Sequence, residues 1–461
     1  MANNVALTKR VGQTATERLL ATLCENTFLN LWSWPSPYKA DRKELCDLLV
    51  VFGKHVFIFF DRENRQLDDP EKDQDLLWSR WKRAAIDRQI VTARGAERYL
   101  RSGSPVFIDD VCGQKLPLLM DADVKIHKII VAHGAKDACK QSSEANVSGS
   151  LAITYADDNE AATEPEFPFF VRLNRQDPVH VLDSENLELV LRTLDTATDF
   201  TQYIEEKEST IRSLQYLSYC GEEDLLGHYF LNFDEANPKY GILPRGEPVD
   251  GLHIGEGTWD DLSKSQPYQR RVQANEVSYL WDRLLQKTGH NALKGTLSGN
   301  GDVFAGKSAI HEMAKEPRFS RRLLARGITQ AVESFPLRQG NVRQLTFLPS
   351  FFSNVGYVFL QVQANYDPYD EYRKRRMALL EIACGVTRNK FPHLTKVIGI
   401  AVEPIKYNRT ISEDFLLMDT QEWTADQQQT YAEENKVLRF YETANLTKRH
   451  SRETDFPSRT R

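Results

Sequence analysis

Two apolar runs stand back to back in this chain, Leu48–Phe52 and residues 56–60, joined by Gly53, Lys54 and His55. Runs so short and so uniformly apolar, separated by a turn that contains glycine, read as a β-hairpin buried on both faces. Central strands of a helix-covered sheet have this character. Asp47 opens the first run, and Asp61-Arg62 closes the second. Antiparallel pairing therefore brings an acid and a cation to the same end of the sheet, and the chemistry of the chain is expected there.

The flanking sequence predicts what covers the hairpin. Residues 14–31 read as a helix, with Leu19, Leu20, Leu23, Cys24 and Phe28 at helical spacing and Thr14-Ala15-Thr16-Glu17 as a capping box. Residues 76–100 read as a second helix, and 106–109 and 126–132 as strands. The fold class expected is α/β and α+β, opening with an α/β sandwich around a mixed sheet in residues 1–140. Residues 141–215 read as an extension that buttresses this domain, with strands at 150–155, 169–172 and 179–182 and a helix over 185–213. Residues 216–335 read as mainly helical, with 232–257 as a loop. Residues 336–446 read as a C-terminal α+β domain, and 447–461 as a disordered polar tail.

The chain has 461 residues, of which 41% are hydrophobic and 27% charged. This is a globular composition, and no apolar run approaches the roughly 20 residues that span a bilayer. The first residues lack the apolar core of a signal peptide, so a cytoplasmic location and no membrane partner are expected. None of the six cysteines forms a CxxC pair, and buried reduced thiols are the expected reading. Cys112 and Cys139, with His127 and His133 nearby in sequence, are weighed against that reading as a metal cluster. The net charge of −6 excludes a global attraction to nucleic acid, leaving only local basic patches. The densest patch is the helix around Lys82, Arg83 and Arg88, where Arg80, Arg94, Arg98 and Arg101 alternate with Trp78, Trp81 and Tyr99. It reads as a phosphate-contacting face or as a solvated one. Arg321, Arg322 and Arg326, and the run 373–376, pose the same choice further on.

The first 135 residues resemble the nuclease-related, NERD-type domain of the PD-(D/E)XK superfamily. In that family a helix carries Glu, a strand carries Asp, a second strand carries Glu-x-Lys, and the next helix carries Gln. Glu17, Asp47 and Gln89 match three of these positions, while Phe60 stands in place of the Glu and Arg62 in place of the Lys. The whole chain also resembles a bacterial family of unassigned activity, through the segments 28–33 and 44–51. The nuclease resemblance implies Mg²⁺ or Mn²⁺ held by Asp47, Glu17 and a relocated acid, Asp61 or Glu63. It implies Arg62 and Gln89 orienting phosphate or water, and phosphodiester hydrolysis acting on nucleic acid, by analogy in defence against foreign DNA. Phe60 binds no metal, and Arg62 stays protonated. A second reading is therefore a nuclease fold kept as a nucleic-acid or protein binding module.

A third reading rests on residues 301–308, which satisfy G-x-x-x-x-G-K-S through Gly301, Gly306, Lys307 and Ser308. A phosphate loop of this kind follows a buried strand and opens a helix. The residues before Gly301 do not read as such a strand, so the nucleotide-binding switch is an alternative only.

Overall fold

The computed structural model describes residues 12–63, 67, 73–116, 118, 123–142, 146, 148–157, 168–234, 239–244, 248–293, 303–336, 338–364, 368–405, 413–442, 447 and 453–456. The described residues form two compact units, divided between Gln269 and Arg270. No helix among the described residues is long and apolar enough to cross a membrane.

The first unit begins with α1 (Ala15–Phe28), then β1 (Ser33–Pro35), β2 (Tyr38–Lys39), β3 (Leu48–Phe52) and β4 (His55–Glu63). The expected capping box is formed: Glu17 N–H donates to Thr14 Oγ1, and Glu17 Oε2 accepts from the Thr14 backbone. The hairpin is tighter than expected. His55 already belongs to β4 and pairs with Phe52, so the loop is Gly53-Lys54 alone. Gly53 supplies the positive φ, 60°, that a two-residue hairpin turn requires.

The expected single helix is α2 (Gln74–Lys82), a five-residue π turn (Arg83–Asp87) and α3 (Arg88–Arg101). Next come β5 (Val106–Phe107), β6 (Lys125–His133), α4 (Lys136–Ser142), β7 (Ala152–Ala156), β8 (Phe170–Asn174) and β9 (His180–Asp183). A central sheet runs in the order β1-β3-β4-β6-β9. Its first two pairings are antiparallel and its last two parallel, the mixed sheet expected. Phe28, Phe57 and Phe200 meet beneath it, with ring centroids 5.2–5.4 Å apart.

The predicted helix over 185–213 is two helices, α5 (Ser184–Thr193) and α6 (Ala197–Ser213). Asp183 caps α5 and Thr196 caps α6. After them come β10 (Tyr216–Tyr219), α7 (Glu222–Leu231), β11 (Phe233–Asp234), β12 (Lys239–Tyr240), β13 (Gly251–Ile254) and α8 (Thr258–Lys264). β10 pairs with β7 and β13 in a second sheet, β13-β10-β7-β8. The boundary expected at 215/216 would cut that sheet, and the expected loop at 232–257 contains three short strands.

α9 (Gln266–Asn275) carries the division between the units. The second unit continues with α10 (Tyr279–Leu293), α11 (Val303–Ala314), α12 (Arg318–Glu333), β14 (Val342–Pro349), β15 (Val355–Gln363), α13 (Tyr369–Lys390), β16 (Lys396–Val402), β17 (Glu413–Asp419) and α14 (Ala425–Leu438). Its sheet is β14-β15-β16-β17, with α13 joining the parallel pair β15 and β16. Val358, Leu360, Leu380, Cys384, Val397 and Ala401 form its core. A Cβ on Gly399 would stand 2.8 Å from Cys384 Sγ and from Leu380, so glycine lets α13 lie close on β16.

The arginine clusters of this unit divide between core and surface, with Arg375 and Arg326 keeping 53% and 38% of their side chains exposed. Arg321, Arg322 and Arg376 are fully buried. Arg321 pairs with Asp282 at 2.6 Å, and Arg376 with Asp414 at 2.6 Å.

Candidate functional site

β4, β6 and β9 run parallel, so their carboxyl ends share one edge of the sheet, where open α/β sheets place ligands. Asp61 and Arg62 stand at the end of β4 and His133 at the end of β6. The antiparallel β3 begins at the same edge, where Asp47 N–H donates to Phe59 O at 3.1 Å. The hairpin thus brings Asp47 to Asp61-Arg62 as the sequence indicates.

The contacts there are specific. Asp61 N–H donates to Asp47 Oδ2 at 2.7 Å, and the Arg62 guanidinium lies 3.6 Å from Asp47 Oδ1. Thr16, in the first turn of α1, donates to Asp61 Oδ1 at 2.7 Å. His133 Nε2 lies 3.2 Å from Asp61 Oδ2, and His133 Nδ1 lies 2.7 Å from Ser184 Oγ. A carboxylate only accepts, so Nε2–H donates to Asp61 Oδ2, while the direction of the Nδ1–Ser184 Oγ hydrogen bond follows the protonation of the ring. In the pairing register Asp61 stands beside Val131 and Glu63 beside His133. Strand alternation therefore puts Asp61 and His133 on one face and Arg62 on the other.

Asp47 is 5% exposed, and burial pushes its pKa up to about 7. The nearby Arg62 charge and the Asp61 N–H oppose this rise without cancelling it. Arg62 itself keeps 42% of its side chain exposed. Asp183, at the end of β9, is raised to about 6, again by burial, while it accepts from the N–H groups of Glu185 and Asn186.

The donors expected to hold a metal do not converge. Glu17 Oε2 accepts from the backbone of Gln13 at 2.6 Å and of Thr14 at 3.3 Å, so its carboxylate caps its own helix. Asp47 faces an N–H and a guanidinium, and Asp61 faces a hydroxyl and an imidazole. Magnesium needs roughly six oxygens. Among the described residues no group of three or more His, Cys, Asp or Glu is placed to hold a metal ion. Phe60 is 2% exposed and fills core space. The arrangement does not fit Mg²⁺ or Mn²⁺, and no hydrolytic step is derived through one. Cys112, Cys139, His127 and His133 also stay apart: His127 binds Glu208 at 2.8 Å, and Cys112 Sγ donates to Lys39 O at 3.5 Å.

Gln89 is buried on α3, and no hydrogen bond joins it to Asp47, Asp61 or Arg62. Its Nε2 donates weakly to Ala84 O at 3.4 Å, across the π turn. Lys82 is mostly buried and lies 3.7 Å from Asp87. Arg83 and Arg88 are exposed, as are Arg80 and Arg98, with no ion-pair partner among the described residues. Arg94 and Arg101 are committed to Asp177 and Glu97. In the second unit, Gly306, Lys307 and Ser308 lie inside α11, and the preceding element among the described residues is the helix α10. Backbone N–H groups inside a helix cannot cradle a phosphate, so the main chain of Gly306, Lys307 and Ser308 does not serve as a phosphate loop. Gly301 lies outside the described residues.

Thr16 and His133 were not legible as partners of Asp61, nor Ser184 as a partner of His133. Thr16 is hidden within a capping box, and nothing in the sequence of β6 or α5 records the parallel register that gathers His133 and Ser184. The chain Ser184–His133–Asp61 has the connectivity of a serine–histidine–acid relay. The N–H groups of Glu185 and Asn186, which follow Ser184 in the chain, donate to Asp183 Oδ1 and so are not free to serve an oxyanion. No family model, curated protein or solved structure matches this chain.

Proposed function

We propose that the first unit is a nuclease-like frame that binds nucleic acid at the β3–β4 sheet edge and along α2–α3, without metal-dependent cleavage. One observation carries the reading: both strand-end carboxylates are held by fixed protein donors, while Arg62, beside Asp47, stays half exposed. A guanidinium in that position clamps a phosphate oxygen and cannot shuttle a proton. The order helix, antiparallel strands, helix, parallel strand supports the resemblance to the PD-(D/E)XK frame. The exposed Arg80, Arg83, Arg88 and Arg98 supply sequence-independent backbone contacts.

The test is fluorescence anisotropy with single- and double-stranded DNA and RNA in Mg²⁺, Mn²⁺ or EDTA, with product gels alongside. The expected outcome is binding that EDTA leaves unchanged, that Arg62→Ala weakens, and no cleavage by wild type or by Asp47→Ala. Metal-dependent cleavage lost in Asp47→Ala would replace this reading with a working nuclease.

A further inference from the structure

Within the second unit, three arginines and one asparagine close on a short acidic stretch near the end of the sequence. Arg271 and Asn275 come from α9, and Arg322 and Arg326 from α12. Residues 447–461 read from sequence as a disordered tail, yet 453–456 are held in a defined arrangement. Arg322 donates to Thr454 O at 2.6 Å and to Asp455 O at 3.3 Å. Its Nε stands 3.7 Å from the Glu453 carboxylate, and its Nη1 donates to Asn275 Oδ1 at 3.2 Å. Arg271 pairs with Asp455 Oδ2 at 3.0 Å and lies 5.6 Å from the Phe456 ring centre. Arg326 pairs with Glu453.

Each of these contacts to 453–456 sets a guanidinium against an acceptor or an aromatic face: two carboxylates, two main-chain carbonyls and one ring. Arg322 is fully buried and Arg271 is 5% exposed, whereas Thr454 is exposed and its neighbours are only partly covered. Buried guanidinium charge needs an anionic counterpart, and the segment supplies it. The stretch has no helix or strand of its own, so it resembles a bound peptide recognised by an arginine cluster.

We propose that Arg271, Arg322 and Arg326, with Asn275, form a docking site for an acidic peptide of the form Glu-Thr-Asp-Phe. The chain's own residues 453–456 occupy it as a tethered ligand, and the same segment supplied in trans takes the site once the tether is disabled. Tethering gives the internal copy a high effective concentration, so the intact chain masks the site.

The probe is a fluorescein-labelled peptide of residues 447–461, titrated by anisotropy against three full-length chains. The Glu453→Ala/Asp455→Ala/Phe456→Ala chain is expected to bind it, and the wild-type chain roughly tenfold more weakly or not at all. Adding Arg326→Glu to the triple variant is expected to abolish binding, and a peptide carrying the Glu453→Arg change is expected to restore part of it. Equal binding by wild type and the triple variant would overturn the proposal, as would no binding by a triple variant that keeps the wild-type circular dichroism. If the triple variant does not fold, Arg326→Glu in the wild-type background decides. Arg326 keeps 38% of its side chain exposed. Its loss is expected to raise hydrogen exchange at 453–456, and Glu453→Arg in the same chain to reverse the rise; unchanged exchange overturns the proposal. An oligonucleotide that binds the opened site when the peptide does not would also overturn it, in favour of a phosphate site.

Discussion

At the scale of single residues, the first unit stores two opposite solutions to buried charge. Asp47 is held near an N–H and a half-exposed arginine, which is too little to keep its pKa low, and burial lifts it to about 7. An acid raised in this way favours the folded state fully only below its unfolded value near 4, and that contribution is lost as pH rises through about 7. Asp47→Asn keeps an acceptor for Asp61 N–H and removes the charge. It is expected to stabilise the protein at pH 8, by up to about 4 kcal/mol, and to change little at pH 4. Melts at the two pH values check this, and an equal effect at both would refute it. Lys207 and Glu222 show the other solution. Both are essentially fully buried, paired at 2.6 Å, with Tyr203 donating to Glu222 at 2.7 Å and Lys207 lying 5.1 Å from the Tyr219 ring centre. Lys207→Met strands a buried carboxylate and is expected to destabilise by about 3–5 kcal/mol, whereas Lys207→Met with Glu222→Leu costs less than the single change. Chemical denaturation of the three chains gives the comparison.

At the scale of elements, the hairpin, its two covering helices and the strand β6 were legible because each is written locally, in an apolar run, a cap or a turn glycine. The π turn was not. Residues 74–101 keep one amphipathic pattern throughout, and the extra residue per turn that rotates Arg88 relative to Arg83 leaves no compositional mark. The site was legible in the same uneven way. Asp47 and Arg62 meet because a hairpin fixes its own register, whereas His133 and Ser184 arrive through parallel pairings that span 72 and 51 residues of chain. The binding proposal is tested on the exposed part of this element. Removing Arg83 and Arg88 together should lower the slope of log affinity against log salt by about two and weaken all sequences alike. A change confined to one sequence, or no change in slope, would detach these arginines from the backbone contact.

At the scale of the whole molecule, the chain divides within α9 rather than at the boundary expected near residue 216. That position looked like a boundary because the helical reading resumes there. It is internal because β10 completes a sheet begun by β7, some sixty residues earlier. Each unit has its own apolar core, the aromatic cluster of Phe28, Phe57 and Phe200 in the first and the α13–β16 packing in the second. A region with its own core unfolds as its own cooperative unit. Calorimetry should therefore resolve two transitions. Phe57→Ala, at a fully buried ring, is expected to lower one by about 3–5 kcal/mol and leave the other in place. Leu380→Ala should act on the second alone, by about 2–5 kcal/mol, because Leu380 packs only within the second core. The two effects should add in the double variant. A single transition moved by both substitutions would mean that the two cores fold as one, and the division at α9 would then describe contacts without describing cooperativity.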